Sequence, residues 1–163
     1  MSWFPSLARP LFQWCDSTWI SVAIRDSTWM FAVLEILHLL GLTLLLGSLV
    51  VLDLRLLGLG MRRQPAPRLA GELAPWIAAG LGFMALTGTL LFLSEAMKCW
   101  ASPPFAVKML LLFLALVSHV AIFRQVRRLE DPARLPAWIR PAACLSLGLW
   151  FGVGLAGRAI GFQ

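Results

Sequence analysis

One stretch, residues 29–55, most constrains what this chain can fold into; it reads WMFAVLEILHLLGLTLLLGSLVVLDLR. It is longer than the roughly 20 apolar residues with which an α-helix crosses the hydrocarbon core of a bilayer. Glu35 and His38 nevertheless lie inside it, three residues apart, so that both side chains are on one helix face. Ionisable side chains are costly in hydrocarbon, and this face must therefore contact protein, water or a cofactor.

Three further apolar runs accompany this one. We predict membrane spans at about residues 27–52, 73–94, 102–123 and 137–162. Only 13% of the 163 residues are charged, against about 25% in an average globular chain, which excludes a soluble domain. The predicted fold class is all-α, an integral membrane four-helix bundle formed by residues 27–163 after an amino-terminal segment of residues 1–26.

The amino-terminal segment carries apolar side chains at nearly helical spacing among polar residues. We expect no cleaved signal peptide, because no continuous apolar core precedes a small-residue cleavage site. Pro5 and Pro10 are expected to prevent one continuous helix. We predict that the segment is amphipathic and lies in the headgroup layer. The apolar residues are Trp3, Phe4, Leu7, Leu11, Phe12, Trp14, Trp19 and Trp29.

Cations gather in two of the three predicted loops. These are Arg55, Arg62, Arg63 and Arg68 between the first two spans, and Arg124, Arg127, Arg128, Arg134 and Arg140 between the last two. By the positive-inside rule, both loops lie in the cytoplasm and both termini lie outside, as in a multi-pass protein of the bacterial inner membrane. We expect no nucleic-acid partner, because the net charge of +6 forms no basic stripe.

Both histidines of the chain fall inside predicted spans, His38 in the first and His119 in the third. Neutral imidazole is the commonest metal ligand in proteins and the usual axial ligand of haem iron. Ionisable groups inside a membrane are mostly functional. The two histidines therefore favour a bound cofactor over a purely structural role.

The number and type of ligands indicate which cofactor this is. Zinc would need about four converging Cys, His or carboxylate ligands, and a di-iron bundle would need a second Glu-x-x-His motif besides that of Glu35 and His38. Haem b needs only one or two protein ligands and a large apolar pocket. We therefore predict one or two haem b groups per chain, bound through His38 and His119. Because the two imidazoles differ in depth by roughly 10 Å, a shared haem, one haem for each histidine, and ligation by His38 alone are all open.

Haem propionates need cations near a membrane face, as carboxylates pair strongly with arginine. Lys108 and Arg158 lie inside spans near the outer face and are the best candidates, with Arg25 as a third. Lys98 is expected to reach lipid headgroups. Glu35 is expected to accept a proton, to form a hydrogen bond with a neighbouring ligand of the haem site, or to pair with a cation such as Arg158.

Other polar residues are assigned no part in the haem site, while the glycines could make room for its flat ring. Asp53 and Arg55 are interpreted as an end-of-helix pair that helps to fix topology. Cys15 and Cys99 would share the outer, oxidising side, where disulfides form, and Cys144 is interpreted as a packing residue. Glycines in the second and fourth spans predict close helix packing or a homo-oligomer face. They are Gly80, Gly82, Gly88, Gly148, Gly152, Gly157 and Gly161.

Four segments carry a family resemblance: HLLGLTLLLGSLVVLDLRLLGLG, ELAPW, SEAMKCW and PFAVKM. They resemble a family of uncharacterised four-helix bacterial inner-membrane proteins. A more distant similarity is to the copper-resistance protein D family, whose spans also place His near Gly-rich apolar runs. The architecture is similar to that of small four-helix membrane b-type cytochromes, which have more His ligands. The resemblance implies a fold and leaves the activity to be argued from the residues.

The predicted function is that of a membrane haem b-binding protein for electron transfer or a small redox reaction, with a quinone or another redox carrier as its partner. If the protein is an enzyme, it is a haem-dependent membrane oxidoreductase. One alternative is a transporter or channel for copper or another ion, with Glu35 and His38 along the path. The second alternative is an accessory membrane subunit without a cofactor, in which the intramembrane polar groups pair with one another.

Overall fold

The computed structural model describes residues 6–129 and 135–161, and every regular element in these ranges is helical. In chain order the elements are a 3-10 turn (Ser6–Ala8), α1 (Arg9–Asp16), α2 (Trp19–Asp26), α3 (Met30–Leu57), α4 (Ala66–Ser94), α5 (Ala96–Ala101), α6 (Pro103–Arg127) and α7 (Ile139–Ile160). Four of them, α3, α4, α6 and α7, are long and apolar enough to cross a membrane. The chain is therefore an all-α, multi-pass membrane protein, as the sequence predicts.

The first two spans are longer than the sequence predicts. Helix α3 continues beyond residue 52 to Leu57 and ends at Gly58, which takes the left-handed conformation (φ 77°) typical of a helix C-terminus. Helix α4 begins at Ala66 instead of residue 73, because Pro67 falls in its first turn, where the missing N–H breaks no helical hydrogen bond. Both extensions add polar residues to the spanning helices at the same end of the bundle.

The four long helices form a closed ring. Helix α3 packs against α4 and α7, while α6 packs against α7 and α4. One end of the bundle carries the connections from α3 to α4 and from α6 to α7 and is here called the core end. At this end, buried apolar residues fill the space between the helices. They include Leu45, Leu49, Leu52, Leu56, Ala66, Ala70, Ile77, Ala115, Ile122, Val126, Ile139, Ala143 and Trp150. The opposite end, here called the cavity end, carries α1, α2 and α5.

The arginine-rich segments both lie at the core end, as the positive-inside rule requires of two loops on one side. Arg55 is unlike an exposed loop arginine, because its side chain is buried and its Nε donates to the carbonyl oxygen of Gln64 at 2.7 Å. Arg55 thus lies in the last turn of α3, as the sequence predicts, with its side chain bonded to the following loop; the role of Asp53 and Arg55 in topology stays a prediction. Arg134 lies outside the described residues, and the side of the membrane occupied by this end stays a prediction.

The glycines of α4 and α7 divide into two groups. A Cβ on Gly80 would lie 3.0 Å from backbone atoms of Leu45, so Gly80 permits the close approach of α3 and α4. Gly88, Gly152 and Gly157 also face side chains of neighbouring helices, whereas Gly82 and Gly148 face open space. Packing within the bundle is thus confirmed for the first group, and the homo-oligomer stays a prediction.

The amino-terminal segment forms two short helices rather than one, as predicted, but the interruption is not at Pro10. Pro10 lies in the first turn of α1, and the chain turns at Ser17 before Thr18 caps α2 by accepting a hydrogen bond from the Ser21 amide. Phe12 and Cys15 pack on α5. The outward face exposes Leu7, Leu11, Trp14, Trp19 and Val22. Its location in the headgroup layer stays a prediction, and Trp3 and Phe4 lie outside the described residues.

Candidate functional site

A cavity of about 420 Å³ occupies the cavity end of the bundle. It lies between the start of α3, the end of α4, the start of α6 and the end of α7, and its walls are mostly apolar. Four of the residues predicted from the sequence line it together: Glu35, His38, Lys108 and Arg158. A volume of this size is within the range of about 300–1,000 Å³ that is typical of cofactor and ligand pockets.

The His38 imidazole is held by α4 through a short hydrogen-bond chain. His38 Nδ1 lies 2.8 Å from Thr87 Oγ1, and Thr87 Oγ1 donates to the carbonyl oxygen of Phe83 at 2.8 Å. A threonine hydroxyl has one proton, so Thr87 must accept from Nδ1–H of His38. Nδ1 of His38 therefore carries a proton, and in the neutral imidazole Nε2 keeps a lone pair that is available to a metal or a proton.

Gly88 makes this approach of His38 to α4 sterically feasible. A Cβ on Gly88 would lie 3.1 Å from His38 Cε1, closer than ordinary van der Waals contact. Thr87 and Gly88 thus act as a pair, the first bonding the imidazole and the second making room for it. Sequence reasoning identified Gly88 only as a small residue and missed Thr87, because a threonine in an apolar helix usually bonds its own backbone.

The two predicted propionate anchors are on different helices of the cavity wall. The Lys108 side chain lies against Gly157, where an added Cβ would be 3.5 Å from both Cε and Nζ. Arg158 Nη1 lies 4.0 Å from Glu35 Oε1, and both side chains are at least half exposed. An ion pair of this length and exposure contributes little stability. The predicted pairing of Glu35 with Arg158 is present, and a proton-handling role for Glu35 stays a prediction.

The other two predicted site residues are elsewhere. Arg25 forms a 2.7 Å ion pair with Asp16 and donates to the backbone oxygens of Asp16 and Ser94, so it ties α2 to α1 and α4. His119 lies between α6 and α7, with ring centroids 5.7 Å from Phe123 and 6.5 Å from Trp150. Neither residue lines the cavity. The structure therefore does not bring the two histidines to one cavity.

Aromatic packing closes the cavity on the side of α1 and α5. Phe92 and Phe105, both cavity-lining residues, stack with their ring centroids 5.6 Å apart, and Phe12 of α1 meets Phe92 edge-on at 5.4 Å. Arg9 lies over the Trp100 ring of α5 at 5.5 Å, a cation–π arrangement. Helix α1 thus packs against the cavity-lining Phe92 from behind.

Two cysteines belong to this aromatic wall. Cys15 and Cys99 are buried free thiols in one apolar cluster, and Cys99 also lines the cavity. No disulfide joins the two in this structure. The remaining free thiol, Cys144, is exposed on the outer surface of α7, so its interpretation as a packing residue within the bundle is wrong.

The Cys99 thiol is expected to be poorly reactive at neutral pH. Burial, with a smaller effect of the nearby Glu95 carboxylate, raises its pKa to about 11, and only the thiolate is nucleophilic. We expect the alkylation rate of Cys99 in detergent-solubilised protein to increase with pH up to about pH 11. The measurement is mass-spectrometric labelling of a C15S/C144S variant, with the triple serine variant as the background. Labelling at neutral pH as fast as that of an exposed thiol would contradict this expectation.

The site does not resemble a multi-ligand metal centre. Within residues 6–129 and 135–161, no group of three or more His, Cys, Asp or Glu side chains is arranged to hold a metal ion. In contrast, a single neutral imidazole on an apolar cavity suffices for haem.

The chain was compared with known protein families, curated proteins and solved structures. No curated protein and no solved structure is significantly similar to the chain. The model of a family of unknown function, DUF6644, matches residues 11–163. Because this match covers nearly the whole chain and all four long helices, the chain belongs to the DUF6644 family.

Proposed function

We propose that this protein binds one haem b in the cavity, with His38 Nε2 as the residue that would hold the iron, and serves in electron transfer or a small redox reaction in the membrane. The observation that carries the proposal is the hydrogen-bond chain from His38 Nδ1 through Thr87 to Phe83. Ligating histidines typically donate their second N–H in this way, which fixes the ring and increases its basicity. The bound iron would supply one-electron redox chemistry.

The lining of the cavity fits a haem group. Its walls are mostly apolar, and Lys108 and Arg158 place two cationic side chains on it, as the propionates require. Lys108 extends from α6 and Arg158 from α7, so the two cations can each hold one carboxylate. Glu35 already lies beside Arg158, and a propionate would compete with it for the guanidinium.

The Thr87→Val variant tests whether Thr87 positions the ligand. Valine keeps the shape of threonine but removes the acceptor of the His38 Nδ1–H bond, and loss of such a partner typically lowers metal affinity about 10–100-fold. We expect haem affinity to fall within this range and the reduction potential to shift, measured by haem titration and redox titration of the purified protein.

The matched control is Thr89→Val. Thr89 lies on the same helix and also bonds its own backbone, to Ala85 O at 2.7 Å, but it is exposed and is not a cavity-lining residue. The T89V variant should therefore leave both the haem affinity and the reduction potential unchanged. Equal effects of the two substitutions would mean that Thr87 acts only through the stability of α4.

The location and partners follow from the same proposal. A redox protein with its cofactor near one membrane face would exchange electrons with a quinone or with a redox protein on that side. The arginines at the core end favour the cytoplasm for that end, and hence the outer side of a bacterial inner membrane for the cavity. We further propose a homo-oligomer, in which the open faces of Gly82 and Gly148 would allow close helix contact.

Metal and haem analysis of the purified protein separates this proposal from the two alternatives. An ion transporter would bind copper or another ion without a haem spectrum. An accessory subunit would be colourless, and its His38 would serve only to join α3 to α4 through Thr87.

A further inference from the structure

One exposed face of α6 changes from apolar to cationic along the helix. Its side chains recur at intervals of three and four residues, which places them on the same side of the helix. This surface, here called the α6 outer face, runs towards the core end of the bundle. It consists of the exposed apolar residues Leu110, Phe113, Val117 and Val120, followed by the exposed cations Arg124, Arg127 and Arg128.

The three arginines crowd like charges at the end of α6. Arg127 and Arg128 follow Arg124 by three and four residues, so the Cβ atoms of these pairs are about 5–6 Å apart. A single cation near a helix C-terminus interacts favourably with the helix dipole. Several cations at this spacing also repel one another, which destabilises the helix end. A bound anion would remove that repulsion.

No carboxylate of the described chain neutralises this cluster. Within residues 6–129 and 135–161, none of the three guanidinium groups forms an ion pair with Asp or Glu. The next carboxylates along the chain, those of Glu130 and Asp131, lie outside the described residues. The cluster therefore presents its charge to the surroundings of the bundle.

The length of the α6 outer face matches one leaflet of a bilayer. From Phe113 to Arg124 the helix rises about 16 Å, close to half of the roughly 30 Å hydrocarbon core. The Arg127 guanidinium lies 5.8 Å from the centroid of the Phe123 ring, one turn back towards the apolar positions. The cations thus lie where hydrocarbon gives way to headgroups when Phe113 is near the midplane.

We propose that the α6 outer face binds an anionic phospholipid, with the phosphate held by Arg124, Arg127 and Arg128 and an acyl chain along the apolar positions. A guanidinium can donate two parallel hydrogen bonds to phosphate oxygens, and cations clustered beside a membrane span attract anionic lipids. The apolar part of the face selects a lipid over a free anion, because only an amphiphile contacts both parts.

This lipid site is independent of the proposed haem. No residue of the α6 outer face lines the cavity, which occupies the opposite end of the bundle. A protein without cofactor should therefore bind the lipid equally well, and failure of either proposal leaves the other untouched.

Native mass spectrometry of the full-length protein tests the choice of lipid. The detergent-solubilised protein is incubated with equal amounts of phosphatidylglycerol and phosphatidylcholine that carry the same acyl chains. We expect phosphatidylglycerol to be retained several-fold more than phosphatidylcholine, and inorganic phosphate at the same concentration not to displace it. Equal retention of the two lipids would overturn the proposal, as would displacement by phosphate, which would indicate a site for free anions.

Two double variants then locate the site. R124Q/R127Q removes two charges from the α6 outer face, and the matched control R62Q/R63Q removes two from the segment between α3 and α4 at the same end. All four side chains are exposed, so both variants should fold. We expect R124Q/R127Q to lose most of the preference for phosphatidylglycerol and R62Q/R63Q to retain it. Equal losses would mean that the lipid responds only to the total charge of this end, and an unchanged preference in R124Q/R127Q would also overturn the site.

Discussion

The His38→Ala variant is expected to lose nearly all bound haem and with it the Soret band. The physical reason is that His38 is the only histidine lining the cavity, and its Nε2 is the nitrogen left available by the bond to Thr87. The measurement is the visible spectrum and the haem-to-protein ratio of the purified variant. Membrane insertion and the size-exclusion profile should be retained, because His38 is only partly buried and contributes little to the packed core.

His119→Ala is the matched control for this prediction. His119 is an intramembrane imidazole of similar partial burial, but it packs against Phe123 and Trp150, away from the cavity. We expect H119A to keep its haem. Loss of haem in H119A but not in H38A would show that the haem site lies at the contact of α6 and α7 instead. Loss of half the haem in each variant would favour one haem for each histidine.

Gly80→Leu is expected to have the largest effect on stability. A Cβ at this position would already lie 3.0 Å from the Leu45 backbone, and the backbone of a helix cannot move aside as a flexible side chain can. Three further carbon atoms would force α3 and α4 apart along their contact. Overpacking of this kind costs about 1–3 kcal/mol, and more where the backbone must shift. We expect the variant to unfold at a lower temperature or to fail to assemble, as judged by thermal aggregation in detergent.

Gly82→Leu is the control for the close approach of α3 and α4 at Gly80. Gly82 lies two residues away on α4 with nothing within 4 Å of its added Cβ, and it gains the same helix propensity from the substitution. We expect its stability to equal or slightly exceed that of the wild type. If G80L were as stable as G82L, the tight contact of α3 and α4 would be wrong, and the position of Thr87 relative to His38 would be in error as well.

The number of spans and the fold class could be predicted from hydropathy because hydrocarbon imposes length and composition on any helix that crosses it. The helix ends could not be predicted in this way, because the apolar runs of the sequence end before the helices do. Asp53 and Arg55 continue α3 because one is enclosed by packing and the other bonds the next loop. The short helix α5 gives no hydropathy signal, because its 6 residues make fewer than two turns.

The site could be predicted in part. The shared helix face of Glu35 and His38 follows from their spacing, and the position of Lys108 and Arg158 near one end of the bundle follows from their depth. The relation of His38 to Thr87 depends on how α3 and α4 are rotated against each other, which the sequence of neither helix specifies. The position of Arg25 could not be predicted either, because it depends on an ion pair with the carboxylate of Asp16.

The most direct test of the account is the absorption spectrum of the wild-type protein, purified after expression with ample haem supply, with haem quantified as the pyridine haemochrome against protein concentration. We predict a b-type spectrum with a Soret band and one haem for each chain. A colourless protein that takes up no haem on titration would contradict the central claim, and His38 would then be an imidazole that merely bonds Thr87.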